Sequence, residues 1–473
     1  MTSSEDFREF GKAMIDYVAD YLDGIRDRPV LPQVTPGYLR SLVPDEAPEK
    51  GEDWRTVMKD VDRVIMPGVT HWHHPQFHAY FPTANSYPAI VADILSGSIA
   101  CIGFSWIASP ACTELEMVTM DWLGTALNLP KEFLFSGPGN GGGVIQGTAS
   151  EATLVAILSA RAERLKREEA KGKMDRLVAY CSAQAHSSVE RAGMLAGIQM
   201  RLVEPDENFS LRGDALNAAI EEDKEKGLIP FCVIATLGTT NSCSFDNLPE
   251  LGRVCLEQDV WLHVDAAYAG SSFICPEFRP LLDGVEFAES FNFNPHKWML
   301  VNFDCSAMWI KDSRKIVDAF NVDPLYLQHR HQGEIPDYRH WHIPLGRRFR
   351  SLKIWFVMRI YGLEGLRKHI REQVELANQF AEIVQTDPRF ELPTPPRMGL
   401  VCFRVKASNV VNEKLNKKIN EAARIHITPA KIRDKYILRF AVCSRFTVST
   451  DIEFAWTEIL RNLDLISINQ DTE

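Results

Sequence analysis

The chain reads as an α/β protein built on a mostly parallel sheet with helices over both faces. Two observations predict this. Short strand-like runs, largely apolar, recur at 177–181, 200–203, 232–237, 260–264, 290–293 and 305–310, with helical or loop-like segments between them. Residues capable of chemistry then follow these runs: His186 after the first, Thr239-Thr240 after the third, Asp265 after the fourth and Lys297 after the fifth. An open parallel sheet gathers its ligands at the carboxyl ends of its strands.

Composition narrows the class. At 473 residues there is material for two or three domains and a well-buried core. Hydrophobic content of 45% and charged content of 24% are those of an ordinary soluble globular protein. A net charge of −11, from 52 Lys and Arg against 63 Asp and Glu, argues against nucleic acid or an anionic membrane as partner. The opening residues, Met1 to Asp6, carry neither a basic nor an apolar leader region, and no apolar run reaches the ~20 residues that span a bilayer. Ten cysteines without CxxC pairs read as reduced thiols of a cytoplasmic protein.

In chain order, Ser3 and Ser4 are candidate N-caps for a helix whose apolar residues run from Phe7 to Ile25. Its apolar face needs cover from its own domain or from a second subunit. Arg28-Pro29 ends it, and 31–48 is an extended connector. Three segments are expected: 1–85, helical; 86–350, the large α/β domain; and 351–473, a small α+β domain with a long helix at 354–384, strands at 400–405 and 437–442, and a closing helix at 452–465. Between residues 70 and 110, His71, His73, His74 and His78 stand among many aromatics. The histidines lack metal-ligand spacing and nearby carboxylates, so no metal is expected. The aromatics serve either plain core packing or the wall of a pocket for an aromatic ligand.

The glycine-rich run 136–143 leads through Thr148, Ala149 and Ser150 into a helix, a ready anion seat because free N–H groups and the helix dipole converge there. It is neither a Walker A loop nor a dinucleotide fingerprint. His186, at a helix start, is either a capping or core histidine or a group lying over a cofactor ring. The polar, non-periodic stretch 323–336 is either a surface loop or a mobile lid with Tyr326 as proton donor. Lys297 and Asp265 carry the sharpest signal. Each adjoins a strongly apolar run, although Lys and Asp are usually exposed. A desolvated lysine that forms a Schiff base, and an aspartate that pairs with a protonated pyridine nitrogen, are what pyridoxal 5′-phosphate (PLP) demands.

The motifs Asn294-Pro295-His296-Lys297-Trp298, His263-Val264-Asp265-Ala266-Ala267-Tyr268 and Gln184-Ala185-His186-Ser187-Ser188 resemble the aromatic-L-amino-acid (DOPA) decarboxylases of the PLP-dependent group II decarboxylase family. The likeness extends from Ile65 to Arg445 and is nearest in wording to insect members. It implies an aspartate-aminotransferase-like fold (fold type I), and a cytoplasmic homodimer with its active site at the subunit interface and its N-terminal segment packed across the partner. It implies that Lys297 holds PLP, that Asp265 faces the ring nitrogen and that His186 stacks on the ring and contacts the substrate carboxylate. Ala149, Ser150, Asn294 and His296 would seat the phosphate, and Thr240 and Ala267 would line the cofactor. Trp72, Tyr80, Phe81, Thr83, Ile102 and Phe104 would bind the substrate side chain, with Gly346 leaving room for an aromatic ring where histidine decarboxylases carry Ser.

His186 and Tyr326 are of decarboxylase type, since related insect and plant aldehyde synthases carry Asn and Phe at those positions. The stretch 328–336 reads partly like the synthase version, and His74 replaces a usual Ser. The implied reaction is decarboxylation of L-DOPA or 5-hydroxytryptophan. An aromatic acetaldehyde synthase, a histidine or tyrosine decarboxylase and, more remotely, a PLP aminotransferase are the alternatives.

Overall fold

Seven strands form the larger sheet of the structure, a computed structural model that describes residues 3–466. They are β1 (Gly142–Gln146), β2 (Leu177–Ser182), β3 (Gln199–Val203), β4 (Ile229–Thr236), β5 (Trp261–Asp265), β6 (Ser290–Phe293) and β7 (Ser306–Ile310), in the order β1-β7-β6-β5-β4-β2-β3. All six expected strands are present, and β7 alone runs against its neighbours. Because β1 opposes β7 and β7 opposes β6, β1 points the same way as β4, β5 and β6. Every residue of β1, β2, β5, β6 and β7 is buried, whereas edge strand β3 is largely open. Continuous apolar strands are what a sheet covered on both faces requires.

The core beneath joins Val144, Ala179, Ile234 and Met308 of the strands to Ala152, Ala156 and Ala160 of the helix Ala149–Leu165. The structure differs from the sequence reading at the glycine run. Gly142 and Gly143 open β1 instead of lying in a loop, and the helix Ala149–Leu165 follows after Gly147 and its N-cap Thr148. A Cβ on Gly143 would stand 2.5 Å from Met120 Cε and 2.9 Å from Trp309 Nε1, so close packing explains that glycine.

Contacts sort the chain into two compact units: Thr83–Val374, which contains this sheet, and a second made of the described residues up to Pro82 together with those from Glu375 on. The second unit has a four-stranded antiparallel sheet of β8 (Phe390–Glu391), β9 (Leu400–Val405), β10 (Thr428–Ile432) and β11 (Lys435–Ala441), ordered β10-β11-β9-β8. β8 is only two residues long, and β10 carries Pro429 at the sheet edge, where its missing N–H costs no ladder bond. Phe380, Phe403, Phe440 and Trp456 pack the core. Ser3 caps the first helix, Ser4–Asp23, through the Asp6 N–H at 3.0 Å. The long helix Ser351–Thr386 breaks at Gly362, whose φ of 63° is not helical. Among the described residues no helix is long and apolar enough to cross a membrane.

Candidate active site

His186, Asp265, Lys297 and the helix start at Ala149 lie at one edge of the larger unit's sheet, where β1, β2, β4, β5 and β6 all end. Asp265 is the last residue of β5 and is 3% exposed, and one of its oxygens, Oδ1, accepts the Ala267 N–H at 3.0 Å. Lys297 is half-buried on the one-turn helix Pro295–Trp298 that follows β6, and its N–H donates to Asn294 O at 2.9 Å. Both charges act on His186, which caps the helix Ser187–Ala196 after β2. The Ser188 N–H donates to His186 Nδ1 at 3.2 Å, which puts the ring proton on Nε2. Burial first, and the Lys297 charge second, hold this imidazole below its usual range, so it is neutral at pH 7. The capping and functional readings of His186 are therefore compatible: the cap fixes the tautomer.

His296 is oriented in the same manner. Its Nδ1 accepts the Cys305 N–H at 2.9 Å, its carbonyl accepts the Ala84 N–H at 2.7 Å, and burial lowers its pKa to about 3. A neutral ring with Nδ1 occupied offers an Nε2–H donor. Ala149 and the exposed Ser150 open the helix after β1, with Thr148 as N-cap through the Glu151 N–H. Close by, a Cβ on Gly147 would stand 3.0 Å from Glu151 Oε2 and 3.4 Å from Asp304 Oδ2. Arg350 pairs with Asp304 at 2.8 Å. Helix N–H groups, a hydroxyl and an imidazole N–H form a donor set for a phosphate. A lysine and a carboxylate at the neighbouring strand ends complete the set that PLP needs. Buried Asn294 leaves its Oδ1 without a hydrogen bond, and Thr240 is half-buried beside Thr239, whose Oγ1 is taken by the Ser244 N–H at 3.0 Å.

The substrate-side expectations fall in both units. In the larger one, a Cβ on Gly346 would meet Ile102 Cγ2 at an ordinary 3.7 Å, so these two residues are neighbours. The Arg339 N–H donates to Phe104 O at 2.9 Å, and Thr83 is half-buried. Tyr326 is 80% exposed on the single turn Leu325–Leu327. Further along that segment, His331 meets the Trp106 ring edge-on at 4.8 Å. In the smaller unit, Trp72 stacks on Tyr80 at 5.2 Å, and Arg439 lies 5.0 Å over Phe81. Tyr80 has a φ of 59°, a strained backbone for a bulky residue and one that clusters at functional sites. His78 is fully buried, stacks on Phe440 at 3.9 Å and contacts Ala441 O: a core histidine.

Sequence reasoning missed the supports of the site: Ser188 and Cys305, which orient the two imidazoles, and Asp304 with Arg350. The capping reading of His186 was the local signal for Ser188, whereas the Cys305 N–H and the Asp304–Arg350 pair, 46 residues apart, leave none. A cavity of about 230 Å³ with Phe231, Trp261 and Asp259 in its lining lies at the opposite edge of the sheet. Its charges satisfy one another, Arg167 with Asp259 and Lys315 with Glu289, so nothing there points to chemistry.

Comparison with known proteins agrees with this geometry. Residues 36–406 match the pyridoxal-dependent decarboxylase conserved domain. An aromatic-L-amino-acid decarboxylase of Drosophila melanogaster is 63% identical over 461 residues, 96% of this chain and 90% of that protein. Among solved structures, Oryza sativa TDC with PLP and tryptamine is 36% identical, with a TM-score of 0.96 over 98% of this chain and 99% of that one. A Rhodiola rosea 4-hydroxyphenylacetaldehyde synthase is also 36% identical, with a TM-score of 0.93 over 98% and 99%. A strand-end lysine and aspartate, two oriented imidazoles and a helix-borne anion seat thus stand in a chain that belongs to the pyridoxal-dependent decarboxylase family.

Proposed function

We propose that the chain removes the α-carboxylate of aromatic L-amino acids, with L-DOPA as the first candidate and 5-hydroxytryptophan as the second, releasing carbon dioxide and the amine. One observation carries the reading: Lys297, Asp265, His186 and the donors of Ala149, Ser150 and His296 share one edge of the sheet in a member of this family. Pyridoxal phosphate, when bound, supplies the electron sink that makes the Cα–carboxylate bond breakable.

The chain's residues do the rest. Lys297 would supply the amine that holds the cofactor. Asp265, steadied by the Ala267 N–H, would offer its charge to a protonated ring nitrogen. The first turn after β1, with Asn294 and His296, would hold the phosphate, and Thr240 and Ala267 would line the cofactor. His186 presents an Nε2–H to the substrate carboxylate without adding a cation that would hold it back. Gly346 beside Ile102 leaves space for an aromatic ring, and Thr83, Phe104, Trp72, Tyr80 and Phe81 contribute to its recognition. Tyr326 returns the proton to Cα when the segment 323–336 closes and excludes water.

The reading includes a cytoplasmic homodimer with its active sites at the interface. Supporting it, the helix Tyr87–Ile99 exposes Tyr87, Val91, Ile94, Leu95 and Ile99 along one side, and the first helix exposes Phe7 and Ile15. Apolar stripes of that extent mark association surfaces. Residues 1–85 would pack across the partner, 86–350 hold the cofactor and 351–473 form the small domain. The test is a product balance: purified protein with PLP receives L-DOPA in air, and amine, carbon dioxide, aldehyde, ammonia and peroxide are quantified. Dopamine matched by carbon dioxide with little peroxide is expected. Aldehyde, ammonia and peroxide as main products would overturn the decarboxylase reading in favour of a synthase.

A further inference from the structure

A line of polar side chains runs through the interior of the larger sheet and points at Asp265. Side chains alternate between faces along a strand, so Trp261, His263 and Asp265 of β5 share one face, as do Ser290 and Asn292 of β6. The parallel register sets His263 opposite Ser290 and Asp265 opposite Asn292. His263, Ser290 and Asn292 are each 0% exposed. The Trp261 indole N–H donates to Ser290 Oγ at 2.9 Å, and His263 Nδ1 lies 2.8 Å from the same oxygen.

An indole nitrogen can only donate, so Ser290 Oγ accepts from Trp261 and keeps its own proton to offer to His263 Nδ1. In that tautomer the His263 proton sits on Nε2, and the Asn292 side chain acts on the same imidazole. Neither that Nε2 nor either polar atom of the Asn292 side chain closes a hydrogen bond of ordinary geometry. Polar groups buried this deeply without partners call for an explanation, and the anionic acceptor that the register sets beside Asn292 is Asp265. Burial lowers the His263 pKa to about 4, so the line carries no charge of its own.

We propose that Trp261, Ser290, His263 and Asn292 form a one-way donor relay that ends on the Asp265 carboxylate, which makes His263 a positioning residue for the cofactor's ring nitrogen. The inference rests on the function proposed above. Each donor polarises the next, and a carboxylate that receives donors stays ionised and keeps its orientation. The Ala267 N–H reaches Asp265 from its own loop, and the relay would make Asn292, opposite Asp265 on the neighbouring strand, the second donor.

The test uses holoenzyme of the wild type, His263→Gln and His263→Leu, loaded with PLP labelled with nitrogen-15 in the ring. Three quantities are read: the ring-nitrogen chemical shift, kcat and KM for L-DOPA. His263→Leu is expected to move the nitrogen signal toward its unprotonated position and to lower kcat by about tenfold to a hundredfold, the weight of one lost hydrogen bond to a charged group, with KM within about twofold. His263→Gln, which keeps a donor in reach, is expected to stay near the wild type. A wild-type nitrogen shift in His263→Leu would overturn the relay, as would equal kcat losses in both variants with unmoved signals. If His263→Leu fails to fold, Ser290→Ala removes a single oxygen and must shift the signal in the same direction; an unmoved signal there overturns the relay. Wild-type protein that binds PLP but releases no carbon dioxide from L-DOPA overturns the proposed function and not the relay, because the nitrogen signal still reads the latter.

Discussion

Replacing Arg347 with methionine tests whether a buried charge pair holds the strand that leads into the anion seat. Arg347 Nη2 lies 2.6 Å from Glu116 Oε1, and both side chains are 1% exposed. The same guanidinium donates to Ile145 O of β1 at 3.1 Å, and the Ile145 N–H donates to Glu116 Oε1 at 2.8 Å. Tyr338 lies beneath the guanidinium at 4.5 Å and donates from its hydroxyl to Gly143 O at 3.0 Å. At an effective dielectric constant of about 20 the pair attracts by about 6 kcal/mol, most of which offsets the desolvation of both ions.

The intact pair therefore stabilises little, whereas breaking it strands a carboxylate with one backbone donor. Arg347→Met is expected to lower the unfolding free energy by about 3–5 kcal/mol. The double variant Glu116→Leu/Arg347→Met is expected to return to within about 2 kcal/mol of the wild type, the residue being the two unpartnered Ile145 groups. Urea unfolding at fixed PLP concentration, followed by tryptophan fluorescence, measures both. A single variant within about 1 kcal/mol of the wild type, or a double variant as unstable as the single, would refute the reasoning.

Two further outcomes are expected. Gly346→Ser adds a Cβ at an ordinary 3.7 Å from Ile102. Stability should therefore change by no more than about 0.5 kcal/mol, while kcat/KM for L-DOPA falls about tenfold or more relative to histidine because the hydroxyl enters the space for the ring; an unchanged substrate ratio would remove Gly346 from the recognition set. Acid should destabilise the fold. His78, His263 and His296 have folded pKa values of about 3, 4 and 3 against 6.5 unfolded, so their contribution is complete above pH 6.5 and is lost as pH falls toward the folded values. By pH 5 each costs about 2 kcal/mol. Asp246 acts with the opposite sign: burial raises its pKa to about 7, so the folded state takes up that proton first and offsets about one histidine. These four groups together cost about 4 kcal/mol between pH 7 and 5, and His71, His73 and His426, whose pKa values burial lowers to about 4, add to the loss; it is read as a falling urea midpoint, and a level or rising midpoint would contradict it.

The chain itself determined the class of sheet, because strands covered on both faces must be apolar throughout, and six of them announced themselves in this way. It also singled out Asp265 and Lys297 as candidates for chemistry, since both adjoin those runs and the folded sheet sets them at neighbouring strand ends. β1 stayed hidden because two glycines open it, and their reason, contact with Met120 and Trp309, exists only once distant segments are packed. β8 and β10 were equally silent, the first too short for periodicity and the second carrying a proline that only an edge position excuses.

Within the candidate site, residue types suggested the groups capable of chemistry, but the folded surroundings decided the protonation of the two imidazoles. His186 and His296 are neutral Nε2–H donors because Ser188 and Cys305 occupy Nδ1 and burial disfavours a second proton. The Ser188 N–H is a local helix cap, whereas the Cys305 N–H comes from nine residues further along the chain, where no spacing rule announces it. The Trp261–Ser290–His263–Asn292 line is intermediate. Alternation along β5 places its members on the face of Asp265, but the register that brings β6 alongside is a property of the folded sheet.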